Sequence, residues 1–111
     1  MICFHAIFWL NKKGVHDIII DPGFGFSKTI EQNFYLLHHL SELHVLNVPI
    51  LAGLSRKSFI YKTLAVPPED ALNGSTAVNM MAVEQGVEIL RVHDVKETKE
   101  LIKLVTFMEN Q

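Results

Sequence analysis

The sequence contains little cysteine and little excess charge. Its 111 residues include one cysteine, Cys3, which has no partner for an internal disulfide, so the cytoplasm is the expected location. The formal net charge is −2, whereas proteins that bind nucleic acid or an anionic membrane surface are usually basic. Neither of those partners is therefore expected. The length suits one small domain and is too short for two.

Long hydrophobic runs are also missing. The apolar run from Ile2 to Leu10 is too short to cross a bilayer, which takes about 20 residues. The nearest lysines, Lys12 and Lys13, follow this run, whereas a signal peptide carries positive charge before its apolar segment. The run is more typical of a core-facing helix that ends at Gly14.

Short strands and amphipathic helices alternate along the rest of the chain. Ile18–Ile20, Pro49–Gly53 and Glu88–His93 are rich in apolar residues and are typical of buried strands. This order predicts an α/β fold of βαβ units, with the three strands adjacent and parallel in chain order. Helical patterns occupy the segments 30–43, 57–64, part of 70–85 and the residues after 94.

Capping signals mark the start of two of these helices. Thr29 and Gln32 have the spacing of a capping box, which predicts that a helix begins at residue 30. Asp94 and Glu97 have the same spacing and predict the start of the last helix. The residues of the last helix expected to face inward are Leu101, Ile102, Leu104 and Val105.

Polar residues collect where the three predicted strands end. In parallel α/β folds ligands bind at the carboxyl edge of the sheet, because helix N-termini and loop amides converge there. Asp21 would supply an acceptor-only carboxylate at this edge, and Gly23 and Gly25 would let the backbone approach a ligand. The residues gathered at the edge are Asp21, Gly23, Gly25, Gly53, Ser55, Arg56, Lys57, Ser58, Arg91, His93 and Asp94.

The glycine loop after Asp21 does not match the common nucleotide motifs. A dinucleotide fingerprint or a Walker loop starting at Gly23 would need glycine at position 28, where the chain has Lys28. A planar ligand stacked on Phe24 or Phe26 fits the loop better, although either ring could equally be a packing residue.

Two clusters of cations suggest an anion site. Arg56 and Lys57 stand between two serines at a helix start, which suits a phosphate, although a solvated basic turn has the same pattern. Arg91 and His93 share strand parity, and for this pair an anion is favoured over a structural ion pair. All four cations are expected to share one diphosphate. No metal site is expected, since the histidines lack a neighbouring cysteine or carboxylate cluster.

Four segments in this order, "DPGFGF", "GLSRKS", "ALNGSTAVN" and "RVHDV", resemble dihydropteroate synthase of bacterial folate synthesis. The resemblance extends from about Gly14 onward. It implies a TIM barrel that condenses 6-hydroxymethyl-7,8-dihydropterin pyrophosphate with p-aminobenzoate, with magnesium assistance, to give 7,8-dihydropteroate and pyrophosphate. Sulfonamides would occupy the p-aminobenzoate pocket.

The resemblance also implies roles for individual residues. Asp21 would bind the guanidine-like edge of the pterin, Gly53 would lie against its ring, and Lys57 would contact the pterin and order the site. Asp21, Lys57 and Arg91 would be the catalytic residues. Phe26 and Ser55 would line the p-aminobenzoate pocket, and Arg91 and His93 would hold the pyrophosphate. The full set of substrate-binding residues is Asp21, Gly25, Phe26, Gly53, Ser55, Arg56, Lys57, Ser58, Arg91 and His93.

The length of the chain is short for this family, because a (β/α)8 barrel takes about 250 residues. Residues 1–111 would form a partial pterin-binding barrel domain, the C-terminal portion with about three βα units. The N-terminal strands, and with them the protein ligand of Mg²⁺, would be absent. The chain would then be inactive by itself, and we expect a homo-oligomer or a complementing barrel fragment as its partner.

Two alternatives remain open. One is the pterin-binding domain of a methyltransferase, and the other is a non-catalytic, anion-binding half-barrel. The Ser-Arg-Lys-Ser and Arg-Val-His-Asp segments favour the synthase over the methyltransferase, because a methyltransferase has no diphosphate to hold.

Overall fold

The computed structural model describes residue 7 and residues 9–25 and 27–111 of the chain. Two parallel strands form its sheet, β1 (Leu51–Gly53) and β2 (Ile89–Arg91), and Gly53 lies opposite Arg91 in the register. The α-helices are α1 (Ile30–His38), α2 (Ser58–Leu64), α3 (Leu72–Glu84) and α4 (Val95–Glu109), and short 3₁₀ helices span Leu40–Leu46 and Pro68–Asp70. The parallel α/β arrangement predicted from the sequence is therefore confirmed.

The first predicted strand is reduced to one parallel bridge between Ile20 and Ile50. The amide of Ile20 donates to the carbonyl of Pro49 (2.9 Å), and the amide of Leu51 donates to the carbonyl of Ile20 (2.7 Å). The parallel direction and the neighbour order are as predicted, but the three-stranded sheet is not formed. The prediction that this segment is buried on both faces was also wrong, because Ile19 is 55% exposed.

The core lies between the sheet and helices α1, α2 and α3. Ile50, Ala52 and Leu54 are fully buried on and beside β1 and pack with residues of the three helices. The helical members of this cluster include Leu37, Phe59, Ile60, Val78 and Ala82. Burial of these aliphatic and aromatic side chains is the main force that holds β1 in place, and β1 in turn positions the loop that follows it.

The capping box predicted at Thr29 is confirmed. The Thr29 hydroxyl accepts from the Gln32 amide (3.0 Å), and the Gln32 side chain accepts from the Thr29 amide (2.9 Å). Helix α1 nevertheless ends at His38, and the remaining residues of the predicted helix form the 3₁₀ helix. The cap matters for the site, because it fixes the helix end that faces the glycine loop.

The capping box predicted at Asp94 is wrong. Asp94 is the residue before α4, but its carboxylate makes no capping hydrogen bond because both of its oxygens bind Arg56. The inward face of α4 is also narrower than predicted. Leu101 and Val105 are buried, whereas Leu104 is 73% exposed and Ile102 is exposed as well.

The N-terminal helix prediction is tested only in part, because residues 1–6 and residue 8 lie outside the described residues. Residues 9–12 are helical, and Gly14 follows them with φ +84°, a conformation that favours glycine. Trp9 is exposed, so this residue does not face the core as expected. No helix in the described part of the chain is long and apolar enough to span a membrane.

Candidate ligand-binding site

The loop that follows Ile20 is shaped by hydrogen bonds to its own backbone. One carboxylate oxygen of Asp21 accepts from the Gly23 amide (2.9 Å), which makes a tight turn, and Gly23 has φ +79°. The Lys28 ammonium donates to the Gly23 carbonyl from the other side. The Asp21 side chain is 41% exposed, so its second oxygen faces the open edge of the sheet.

Asn33 of α1 holds the next part of the loop. Its side-chain oxygen accepts from the Gly25 amide (3.0 Å), and its side-chain nitrogen donates to the carbonyls of Gly25 (2.9 Å) and Thr29 (3.0 Å). The sequence interpretation missed this residue. The signal was present, because Asn33 lies among Ile30, Phe34 and Leu37 on the apolar face of the helix, where a polar residue is unusual.

Lys57, directly before α2, extends toward the same loop. Its ammonium donates to the carbonyl of Phe24. Burial lowers the pKa of Lys57 from its ordinary value and Arg91 lowers this pKa further, whereas Asp21 raises it and Lys28 lowers it. Lys57 is thus close enough to two other cations, Lys28 and Arg91, and to the Asp21 carboxylate to interact with each of them. Positive charge is in excess at this edge of the sheet.

Arg91 at the end of β2 lies across Gly53 at the end of β1. A Cβ added to Gly53 would come within 2.4 Å of a guanidinium nitrogen, so glycine is needed to leave room for this side chain. The guanidinium donates to the second oxygen of Asp21 (3.2 Å). The structure thus places Asp21, Lys57 and Arg91 together, and it pairs Arg91 with a carboxylate.

Arg56 takes part in a different ion pair, with Asp94. Its guanidinium donates to both oxygens of Asp94 (2.8 and 3.1 Å), and its backbone amide donates to the buried hydroxyl of Ser75 (2.8 Å). The backbone of Arg56 has φ +56°, an uncommon conformation for a side chain of this size. The Asp94 hydrogen bonds raise the pKa of Arg56, and the same bonds lower the pKa of Asp94.

The other predicted site residues surround this edge. Gly25, Lys57 and Ser58 line an open depression of about 520 Å³ together with Gly23, Phe24 and Ser27. The hydroxyl of Ser55 is buried and has no hydrogen-bond partner among the described residues. His93 is exposed and lies beyond the end of β2.

The two phenylalanines of the loop have different outcomes. Phe24 is buried and its ring stacks on that of Phe59, with 6.2 Å between centroids, so in this structure Phe24 is a packing residue. Phe26, which was predicted to contact a ligand, lies outside the described residues.

The Arg56–Asp94 pair makes stability depend on pH. Because the folded-state pKa of Asp94 lies below its ordinary value, the pair stabilises the fold above that value, and this stability is lost as pH falls through the folded-state pKa. We expect Asp94→Asn to lower Tm by a few degrees near pH 6 and to lower it by less at pH 3, which lies below the ordinary pKa of 3.8. Thermal unfolding followed by circular dichroism measures both differences.

A matched control for this prediction is Asp17→Asn, which removes an exposed carboxylate in the segment before Ile20. We expect Asp17→Asn to change Tm little at either pH. A Tm difference between Asp94→Asn and the wild type that is the same at both pH values would contradict the assignment of the pH dependence to this pair.

A family model described as pterin-binding enzyme matches residues 7–93 of the chain. The chain belongs to this family. Pterin-binding enzymes similar to it include the dihydropteroate synthase of Escherichia coli (strain K12), with 49% identity over 88 residues that cover 79% of this chain and 31% of that enzyme.

Solved structures of dihydropteroate synthases match the fold of nearly the whole chain. A Yersinia pestis dihydropteroate synthase with a sulfonamide drug matches with a TM-score of 0.89 and 44% identity, over 96% of this chain and 39% of that chain. A dihydropteroate synthase from Coxiella burnetii in complex with pteroic acid matches with a TM-score of 0.88 and 44% identity, over 96% of this chain and 40% of that chain. The chain therefore spans about a third of the curated relative and about two fifths of the solved ones.

Proposed function

We propose that this chain is the C-terminal portion of a dihydropteroate synthase barrel, with about three of its βα units, and that it holds the pterin diphosphate substrate. The observation that carries the proposal is the excess of positive charge at the carboxyl edge of the sheet. Arg91 pairs with Asp21 (3.2 Å), and Lys57 is close enough to Asp21, Arg91 and Lys28 to interact with each of them. A substrate with a guanidine-like ring edge and a diphosphate matches this pattern of one acceptor and several donors.

The same cluster suggests how the reaction is assisted. In the proposed reaction the amine of p-aminobenzoate forms a C–N bond to the pterin methylene carbon, the C–O bond to diphosphate breaks, and the amine loses a proton. Negative charge grows on the departing diphosphate, and Arg91 and Lys57 are placed to stabilise it. Asp21 would hold the ring, which leaves positive charge developing on the pterin close to a carboxylate. No nucleophilic side chain is required.

The p-aminobenzoate side of the proposal rests on Ser55 and Phe26. The buried hydroxyl of Ser55, which has no partner among the described residues, can donate to or accept from a ligand group. The Yersinia pestis relative was solved in complex with a sulfonamide drug, and in this proposal sulfonamides would occupy the same pocket as p-aminobenzoate. p-Aminobenzoate would enter beside the pterin.

Magnesium belongs to the proposal only as an expected companion of the diphosphate. No group of three or more histidine, cysteine, aspartate or glutamate side chains among the described residues is placed to hold a metal ion. Asp21 already pairs with Arg91, and Lys57 lies within interaction range of both, which is unfavourable for binding a divalent cation at Asp21. The residues present therefore do not fit a magnesium site, and we assign no step to the ion.

The non-catalytic half-barrel remains the second candidate. Arg91 and Asp21 are both substantially exposed on the open edge of a two-stranded sheet, so the cluster could bind an anion without enclosing a reaction. The methyltransferase reading is less favoured, since the relatives described above are dihydropteroate synthases. Homo-oligomers and a complementing barrel fragment are the partners that either candidate predicts.

Titration with pyrophosphate, followed through backbone amide shifts by NMR, tests the anion site without requiring turnover. We expect weak binding, on the order of millimolar to high micromolar, because each charge-assisted hydrogen bond contributes about 1.5–3 kcal/mol and the site is exposed. The shifts should be largest in residues 23–25, 53–58 and 91–94. Added salt should weaken the binding, since the charges are solvent-exposed.

The C-terminal end of α4, residues 106–109, is the internal control, because these residues are exposed and far along the chain from these loops. If residues 23–25, 53–58 and 91–94 show no change at high pyrophosphate while the spectrum remains that of a folded protein, the proposed site is wrong. Binding without any response to salt would also contradict a site built from exposed cations.

A further inference from the structure

Asn33 is a buried polar residue whose hydrogen bonds all serve the glycine loop and the start of α1. The residue is 2% exposed. Its side-chain amide forms hydrogen bonds with both the N–H and the C=O of Gly25, as the backbone of a neighbouring β-strand would. A third hydrogen bond to the Thr29 carbonyl fixes the side chain against its own helix.

The bond to Gly25 has a consequence for its neighbour, Phe24. The Phe24 carbonyl belongs to the same peptide group as the Gly25 amide, so Asn33 fixes the plane of that peptide. The Phe24 ring is anchored on Phe59 from the other side. The carbonyl thus has a defined direction, and it is the acceptor of the Lys57 ammonium.

We infer that Asn33 is a positioning residue for Lys57, acting through the Phe24–Gly25 peptide. Asn33 itself is buried under the loop and does not touch the ligand. The inference deepens the proposed function and rests on it only for the identity of the ligand that Lys57 meets. In chemical terms, the buried side-chain amide of Asn33 on α1 determines the position of the Lys57 ammonium, which comes from the start of α2.

Removal of the Asn33 amide would leave the Gly25 N–H without a partner, and the Gly25 carbonyl would keep only its hydrogen bond from the Lys28 amide (3.2 Å). An unsatisfied, partly buried N–H is unfavourable, so the loop would turn this group toward water. The Phe24 carbonyl belongs to the same peptide and would move with it, and Lys57 would become better hydrated. Since burial is the largest cause that lowers the pKa of Lys57, this pKa should rise toward 10.5 when the loop opens.

Two variants and one matched control separate this effect from a loss of helix stability. Asn33→Ala removes the amide, and Asn33→Leu removes it while a branched side chain still fills the buried space, so a second variant is available if the alanine variant does not fold. Thr29→Ala destroys the capping box of the same helix but leaves both Gly25 contacts intact. The pKa of Lys57 is measured by NMR titration of its side-chain resonances.

We expect the pKa of Lys57 to rise in both Asn33 variants and to stay at its wild-type value in Thr29→Ala. Pyrophosphate affinity should fall several-fold in the Asn33 variants only. An unchanged Lys57 pKa in a folded Asn33 variant, or an equal rise in Thr29→Ala, would overturn the inference. If the wild type fails to bind pyrophosphate, the proposed function fails, while the pKa measurement still decides whether Asn33 positions Lys57.

Discussion

Purified by itself, the 111-residue chain is expected to form no measurable dihydropteroate from the pterin diphosphate and p-aminobenzoate. Electrostatic catalysis depends on charges held in a water-excluded site. Here the Arg91 side chain is 60% exposed, and Asp21 is open to solvent on the edge of a two-stranded sheet. Loss of a single preorganised donor typically lowers kcat by about 10²–10³. Loss of most of the enclosure should therefore bring turnover below detection.

Incorporation of radiolabelled p-aminobenzoate measures this directly, with the Escherichia coli enzyme as the positive control. Activity within about tenfold of that enzyme would correspond to a barrier difference of only about 1.4 kcal/mol and would refute the proposal that the chain is incomplete. Light scattering on the same sample tests the expected self-association. A chain that stays monomeric would contradict the expectation of a homo-oligomer. The complementing barrel fragment would then be the expected partner.

Local sequence signals predicted those elements that local interactions determine. The capping box at Thr29 needs only residues three apart, and it formed as expected. The run at Ile18–Ile20 failed to become a strand because strand formation needs backbone partners along its length. Only Ile20 finds them, on the neighbouring strand. No periodicity within a segment contains information on how many of its amides will meet a neighbour.

The candidate site was predictable to the extent that strand ends determine it. Asp21, Lys57 and Arg91 were grouped from the rule that parallel strands bring their carboxyl ends to one edge, and the structure places them together. Arg56 was grouped with them because it is next to Lys57 in sequence. Its positive φ has no signal in the local sequence, and its pairing with Asp94 joins residues that are 38 positions apart, which no local pattern predicts.

For Arg91 and His93 the sequence pattern favoured an anion over a structural ion pair, whereas in the structure Arg91 forms an ion pair with Asp21. The two outcomes are not exclusive when the pair is exposed, because an exposed ion pair contributes only about 0–1 kcal/mol. A diphosphate offering charge-assisted hydrogen bonds of about 1.5–3 kcal/mol each can draw Arg91 away from Asp21. The ligand would then free the carboxylate that the pterin needs.

Arg91→Ala is expected to abolish detectable pyrophosphate binding. The guanidinium presents its N–H donors as a rigid fork that matches a phosphate group, and no other described side chain crosses Gly53 in this way. A millimolar ligand has a binding free energy of about −4 kcal/mol, so the loss of two bonds of about 1.5–3 kcal/mol each removes most of it. The fold should survive, because the truncated side chain is largely exposed.

Two further variants make the Arg91 result specific. Arg91→Lys keeps the charge but not the fork, so we expect affinity between those of the wild type and Arg91→Ala. Lys62→Ala removes one positive charge from an exposed position on α2 and should leave affinity nearly unchanged, since long-range attraction is screened. The NMR titration described above measures all three. Wild-type affinity in a folded Arg91→Ala protein would mean that the anion binds elsewhere. An equal loss of affinity in Lys62→Ala would mean that binding depends on net charge and not on a defined site.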